Sequence, residues 1–270
     1  MNHQPGLPRN LPHLTPARLV GLKFGRNPFD GIRVALVGYC PRPRSLDKYQ
    51  PRHTTAQYFI HLPPASVQIG SYDGEEFLSI AHVYGGPVSS ALIEELAYYG
   101  ITHVLAYGLA GGLGTKPLKM GDFYLVERAL ALDGTTPHYT AEQVIAADEF
   151  LSFKIKDLAG RTGFPDLTPV QAMTADAIYR EYDADLSAAK ASGCDIVNCD
   201  SSHLYAVSRD VGIHSIECGV ISDVAMGGGE DWQSTLAVML SADDQAAHDP
   251  LTLAGKIVEF YVEVLLSELG

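Results

Sequence analysis

Positive charge is scarce in this chain. Its 270 residues include 19 lysines and arginines against 32 aspartates and glutamates, a formal net charge of −13. That balance argues against a surface built to follow nucleic-acid phosphates, while leaving room for a small anion in a local pocket. Cysteine is scarce too. Cys40, Cys194, Cys199 and Cys218 form no CxxC pair, so neither a zinc cluster nor a disulfide framework is expected, and reduced thiols in a cytoplasmic protein are the simpler expectation. No apolar run approaches the roughly 20 residues of a membrane helix. The opening MNHQPGLPRNLPHLTP lacks the apolar centre of a signal peptide. The glycine-rich YGLAGGLG fits neither GxGxxG nor GxxxxGK[ST], which speaks against a dinucleotide or ATP site.

What is present is an alternation of strand-like and helix-like segments. Residues 1–30, rich in Pro, Gly and Arg, read as an N-terminal arm, and residues 31–270 as one domain. Val34 to Gly38 is a short apolar strand, and 66–84 reads as two strands joined at Tyr72-Asp73-Gly74. After Gly85-Gly86-Pro87 comes a helix closed by Gly100, then the strand THVLAYGLAGG and another over 123–132. Residues 186–192 read as helix, Asp195 to Val197 as a short strand, SSHLYAVSRDVG as a helix, HSIECGVISD as a strand and PLTLAGKIVEFYVEVLLSEL as an amphipathic helix. This order predicts an α/β fold, a single-domain α/β/α sandwich around a central mixed sheet. Its ligands would gather where strands end, at GYCPRPR, YGLAGGLG and ISDVAMGGG.

Taken in order, these pieces resemble the nucleoside phosphorylase superfamily from about residue 13 to residue 265. GGPVSSALIEELAYYGITHVLAYGLAGGL is similar to the family core, and KMGDFYLVERALALDGTTPHY to the stretch that follows it. TADAIYRE, DIVNCDSSHLYAVS and GVISD stand where the family has its base-pocket segment, its Glu-Met-Glu ribose motif and its catalytic Ser-Asp. The resemblance implies that Asp223 protonates a leaving purine, turning a poor leaving anion into a neutral base. A strand-end cap with Ser222 is the alternative role for Asp223. Asp200 stands at the second Glu of the ribose motif and would accept hydrogen bonds from the ribose hydroxyls, or else simply cap the next helix. Cys199 replaces the Met and Asn198 the first Glu. His13 falls where hexameric members reach the ribose of a neighbouring subunit, and it equally suits a solvated arm. Ile178, Tyr179, Asn198 and Ser222 are expected around the base, with Ile178 in place of an aromatic residue that often stacks there.

The anion pocket departs from the family pattern. The strand arginine falls on Ala106 and the hydroxyl residue on Leu109, neither of which can hold a phosphate dianion. Arg42 and Arg44 flank the first-loop position, and Gly86, Gly108 and Gly111 shape the same pocket. Hydrolysis is therefore favoured over phosphorolysis. The glutamate that activates water in hydrolytic members is absent at Cys40-Pro41, leaving His82 or Tyr84 as stand-ins. No metal or cofactor is expected, with inorganic phosphate as co-substrate only if the reaction is phosphorolysis. The expected partners are a small-molecule nucleoside and further copies of the chain, as a dimer or hexamer, with no nucleic acid and no membrane. Phosphorolysis through a relocated anion site, and nucleoside binding without turnover, are the alternatives.

Overall fold

The computed structural model describes residues 12–21, 27–224, 233–234 and 249–269. The strands are β1 (Val34–Gly38), β2 (Arg52–His53), β3 (Val67–Tyr72), β4 (Glu75–Ile80), β5 (His103–Gly112), β6 (Phe123–Ala131), β7 (Val144–Ala146), β8 (Leu167–Thr174), β9 (Ile196–Asn198), β10 (His214–Val224) and β11 (Gln233–Ser234). The α-helices are α1 (Pro16–Leu19), α2 (Gly86–Tyr98), α3 (Glu149–Thr162), α4 (Asp183–Ala191), α5 (Ser201–Val211) and α6 (Pro250–Phe260). The expected α/β/α architecture with a mixed central sheet is the one observed. α2 and α5 pack together, with α5 against β6 and β10, while α6 packs against β5 and β10.

β5 is the hub. It runs parallel to β1 on one side and to β10 on the other, and its end pairs antiparallel with β9. Because β10 also pairs with β6, β6 with β8 and β8 with β9, the strands β5, β10, β6, β8 and β9 close on themselves. An apolar strand buried on both faces has the composition seen here: Val104, Leu105, Ala106 and Tyr107 of β5 are fully buried. The β3–β4 hairpin turns at Asp73 (φ 50°) and Gly74 (φ 87°), two successive left-handed residues as a tight two-residue turn of matching twist requires.

Some elements differ from expectation. The C-terminal helix is regular only to Phe260, widens into a π-turn over Tyr261–Leu265 and finishes as a 3₁₀ turn over Leu266–Glu268. Within the 1–30 stretch, Thr15 caps α1 and both Val20 and Phe29 are buried. Phe29 stacks among Tyr58, Phe59 and Tyr99, so the described part of that segment is not all exposed arm. The reason is local: Asn27 turns the chain inward by donating to the Tyr99 carbonyl and accepting from the Phe29 amide. Residues 1–11 and the glycines 227–229 of ISDVAMGGG lie outside the described residues.

Candidate active site

The carboxyl ends of β1, β5, β9 and β10 converge, and two glycines of β5 make room there for acidic side chains. A Cβ on Gly111 would stand 2.9 Å from Asp223 Oδ2 and 3.1 Å from Val197 Cγ1. A Cβ on Gly108 would stand 3.0 Å from Glu217 Oε1 and 3.7 Å from Asp200 Oδ2. Asp223 owes its place to a bulge. The β10–β5 register runs Val220 with Leu109 and Ile221 with Ala110, then skips Ser222 so that Asp223 meets Gly111. An extra residue of this kind bends a strand and re-aims the next side chain. The skipped Ser222 donates its hydroxyl to Asp223 Oδ1 at 2.8 Å.

Asp200 occupies the N-cap of α5, yet its side chain makes no capping hydrogen bond. Its carboxyl is directed toward Gly108 and is nearly buried, at 5% exposure. Glu217, in mid-β10, has no exposure at all. Ser201 Oγ donates to Glu217 Oε2 at 2.7 Å, while Asn198 Nδ2 and Tyr124 Oη approach Oε1 at 3.3 and 3.4 Å. Burial pushes Glu217 up to about 7 against the opposing pull of these donors. Burial, and then the charge of Glu217, hold Asp200 well above the carboxylate range. Desolvation without a countercharge favours the neutral acid, and two such groups side by side resist double ionisation.

Asp133 ties the turn that follows β6 to α5. It accepts from the Thr135 and Thr136 amides and from Ser202 Oγ at 2.6 Å. Burial opposes ionisation of Asp133, but these hydrogen bonds outweigh it and its carboxyl stays below the ordinary range. His203, fully buried 3.9 Å from Asp133, has no hydrogen bond at either ring nitrogen.

On the side of the β1 loop, Arg42 is held in place: Nε donates to Gln68 Oε1 at 2.8 Å and Nη1 pairs with Asp47 at 2.8 Å. Its Nη2 is buried without a hydrogen-bond partner, as is the Tyr107 hydroxyl. Arg44 begins a 3₁₀ turn and is exposed. His82 adopts φ 60° and is exposed, with its Nδ1 3.4 Å from the Tyr84 hydroxyl. Partial burial, then the nearby Cys40 and Asp200, push Tyr84 up to about 12, so at neutral pH its hydroxyl keeps its proton. Ala106 is buried and Leu109 packs against the core. A Cβ on Gly86, the first residue of α2, would collide with Thr135.

The residues expected around the base divide into two groups. Ile178 and Tyr179 stand on the β8–α4 connection at 55% and 92% exposure. Asn198 is buried, and both ends of its amide are engaged internally, accepting from Thr174 Oγ1 at 3.2 Å and donating to Ser201 Oγ at 2.6 Å. Ser222 faces Asp223. Cys199 is half-buried, and its thiol is raised first by burial and then by Asp200, Glu181 and Asp176. Glu181, on the β8–α4 connection, is itself raised by partial burial and by Asp223. His13 is exposed, and its carbonyl accepts from Arg18. The sequence reading passed over Glu217 and Glu181. The signal for Glu217 was a lone glutamate inside the apolar strand HSIECGVISD; nothing comparable marked Glu181.

Comparison with known proteins places these features in a family. The chain is 30% identical over 236 residues to an uncharacterized protein of Acanthamoeba polyphaga mimivirus, covering 87% of this chain and 92% of that one. In fold it is similar to a Campylobacter jejuni 5′-methylthioadenosine/S-adenosyl homocysteine nucleosidase, with TM-score 0.65, 15% identity, and 84% and 97% of the two chains covered. It is also similar to a Toxoplasma gondii purine nucleoside phosphorylase in complex with immucillin-H, with TM-score 0.63, 19% identity and coverage of 84% and 88%. Residues 47–259 match the phosphorylase superfamily, and the chain belongs to that superfamily.

Proposed function

We propose that the protein cleaves the N-glycosidic bond of a purine-type nucleoside, with water as the nucleophile. The observation that carries this reading is the placement of Asp223 over Gly111 by the β10 bulge, at the end of the strand bundle, with Asp200 flanking Gly108 of the same strand. A carboxylic acid so placed can protonate the departing base, and a second carboxyl can hold the ribose hydroxyls. The superfamily and its fold neighbours, a phosphorylase and a nucleosidase among them, support N-glycosidic cleavage in general. Water is favoured because Ala106 and Leu109 offer no charge or donor and Arg42 is tied to Gln68 and Asp47. Exposure of Ile178 and Tyr179 suits a rim over the base, and exposure of His13 suits a homo-oligomer.

Phosphorolysis is the second reading, and the unpartnered Nη2 of Arg42 favours it, since a buried donor of this kind can meet an anion. The deciding experiment is chromatography of purine nucleosides incubated with the protein in phosphate-free buffer and again with phosphate. Base and free ribose without phosphate are expected. Release only with phosphate, lost in Arg42→Ala or Arg44→Ala, establishes phosphorolysis instead. Thermal stabilisation by a nucleoside with no base released identifies a binding protein.

A further inference from the structure

Hydrolysis needs a group to take the proton that water loses, and the loop after β1 supplies none. Burial raises the Cys40 thiol far above neutrality and Pro41 has no side-chain acceptor; before α2, Tyr84 stays protonated and His82 is exposed, with its Nδ1 3.4 Å from the Tyr84 hydroxyl. Two carboxyl groups do approach Gly108, within 3.7 Å of the point where its Cβ would sit. One is Asp200, at the cleft. The other is Glu217, which is sealed from solvent.

The hydrogen bonds distinguish the two. Glu217 is served by side-chain donors from Ser201, Asn198 and Tyr124, and donors favour the ionised form. Asp200 receives only backbone help, from Cys199. The titratable groups facing the pair are Tyr39 and Cys40 beside β1, Tyr84 before α2, Tyr124 of β6, Cys199 and Tyr205 at α5, and Cys218 of β10. All are neutral at neutral pH, and among the described residues no lysine or arginine acts on either carboxyl. The segment 225–248, which follows Asp223, contains neither residue type.

We propose that Asp200 and Glu217 form a one-proton carboxyl pair, with Glu217 ionised and Asp200 protonated, and that this pair takes the proton of the attacking water; the second half rests on the hydrolytic reading of the same site. The water oxygen bonds to the anomeric carbon as the carbon–nitrogen bond breaks. The electron pair of that bond leaves with the base, which is protonated by Asp223. The water proton goes to the outer oxygen of Asp200 while the proton already on Asp200 passes to Glu217, so the pair moves from one negative charge to none. Loss of one proton to solvent and reprotonation of Asp223 restore the resting enzyme. Asp200 touches the water; Glu217 acts through Asp200 and is a positioning residue.

The test is an NMR titration of the full chain with carbon-13 labels in the aspartate and glutamate carboxyls, for wild type, Glu217→Gln and Asp200→Asn. One carboxyl of the wild-type pair should stay protonated through neutral pH, and Asp200 should titrate lower once Glu217→Gln removes its neighbour's charge. Full ionisation of both groups below about pH 5, the range of ordinary carboxylates, overturns the pair. In phosphate-free base release, Glu217→Gln should lower kcat by roughly 10²- to 10⁴-fold, the scale of general base catalysis. KM should stay nearly constant, the acidic limb of kcat/KM should move, and Glu217→Asp should restore part of the rate. An unchanged limb and kcat overturn the role in catalysis even where the shared proton is seen. A wild-type protein that releases no base, yet shows the shared proton, refutes hydrolysis and leaves the pair standing; the titration of Asp200→Asn gives a second check if Glu217→Gln fails to fold.

Discussion

Gly111→Ala isolates the placement of Asp223. The added methyl would stand 2.9 Å from Asp223 Oδ2 and 3.1 Å from Val197 Cγ1, where ordinary contact begins near 3.4 Å. Val197 belongs to the antiparallel partner strand β9, paired with Gly111 itself, so it can yield only by a few tenths of an ångström. The carboxyl must therefore retreat by about half an ångström from the position set by the bulge and by Ser222. Misplacement by 1 Å costs a reaction on the order of 100-fold, so kcat/KM for base release should fall by roughly 10- to 100-fold. That corresponds to about 1.4 to 2.7 kcal/mol of transition-state stabilisation. Overpacking should cost a further ~1–3 kcal/mol of stability, measurable by urea denaturation. Gly112→Ala is the matched control, since its Cβ would find its nearest neighbour at 3.5 Å, and kcat/KM should stay within about threefold, as expected where no contact is overpacked. Equal losses in the two variants, or a fully active Gly111→Ala protein, would refute the claim that this glycine exists to seat the acid.

Two further expectations concern the body of the fold. His203 is fully buried with neither nitrogen hydrogen-bonded, and burial holds it at about 4 against an ordinary 6.5. Its folded value is depressed, so the unfolded chain binds the extra proton: stability is intact above about pH 6.5 and is lost as pH falls toward 4, by up to ~3 kcal/mol. His203→Leu should melt no lower than wild type at pH 7 and lose less stability on acidification; an unchanged acid slope in thermal melts would count against this. Phe29→Ala should cost about 3–5 kcal/mol because the ring is 1% exposed and lies 5.0 to 5.7 Å from three other aromatic rings. A loss below ~1 kcal/mol in denaturant titrations would show that the ring cluster is not part of the core.

β1, β5 and β10 were legible because they are apolar runs, and a buried parallel strand admits little else; β2, two exposed polar residues, and β8, interrupted by Pro169, carry no such pattern. Thus Val34–Gly38, the Asp73-Gly74 hairpin and the α5 boundary at Gly212 follow from local chemistry. The middle of the chain was less so. α3 carries Lys154, Lys156, Asp157 and Arg161, its buried stripe of Leu151, Ile155 and Leu158 is blurred by the exposed Phe150 and Phe153, and Asp148 caps its first turn by accepting from the Leu151 amide. The bulge at Ser222 was invisible for a different reason: it is a shift in the register between β10 and β5, and no single strand contains it. The closing of β5, β10, β6, β8 and β9 on one another is equally a property of pairings between segments far apart in sequence.

The acid pair was hidden by its own division between two elements. The resemblance expects a carboxylate at position 198, where the chain has Asn198, and position by position that reads as a loss. In three dimensions Asn198 donates to a carboxylate that arrives from β10, on the far side of β5, at Glu217, and Ser201 completes the cradle at 2.7 Å. Reverting one member alone should therefore be harmful. Asn198→Glu would place a second carboxylate against Glu217 in a site with no described cation, and uncompensated buried charge is among the costliest changes a core can suffer. Asn198→Glu combined with Glu217→Thr removes the clash and keeps a hydroxyl facing Ser201, so the double variant should be the more stable of the two. If a double-mutant cycle in urea gave additive losses, the two positions would be independent, and the asparagine would be a plain substitution rather than half of an exchange.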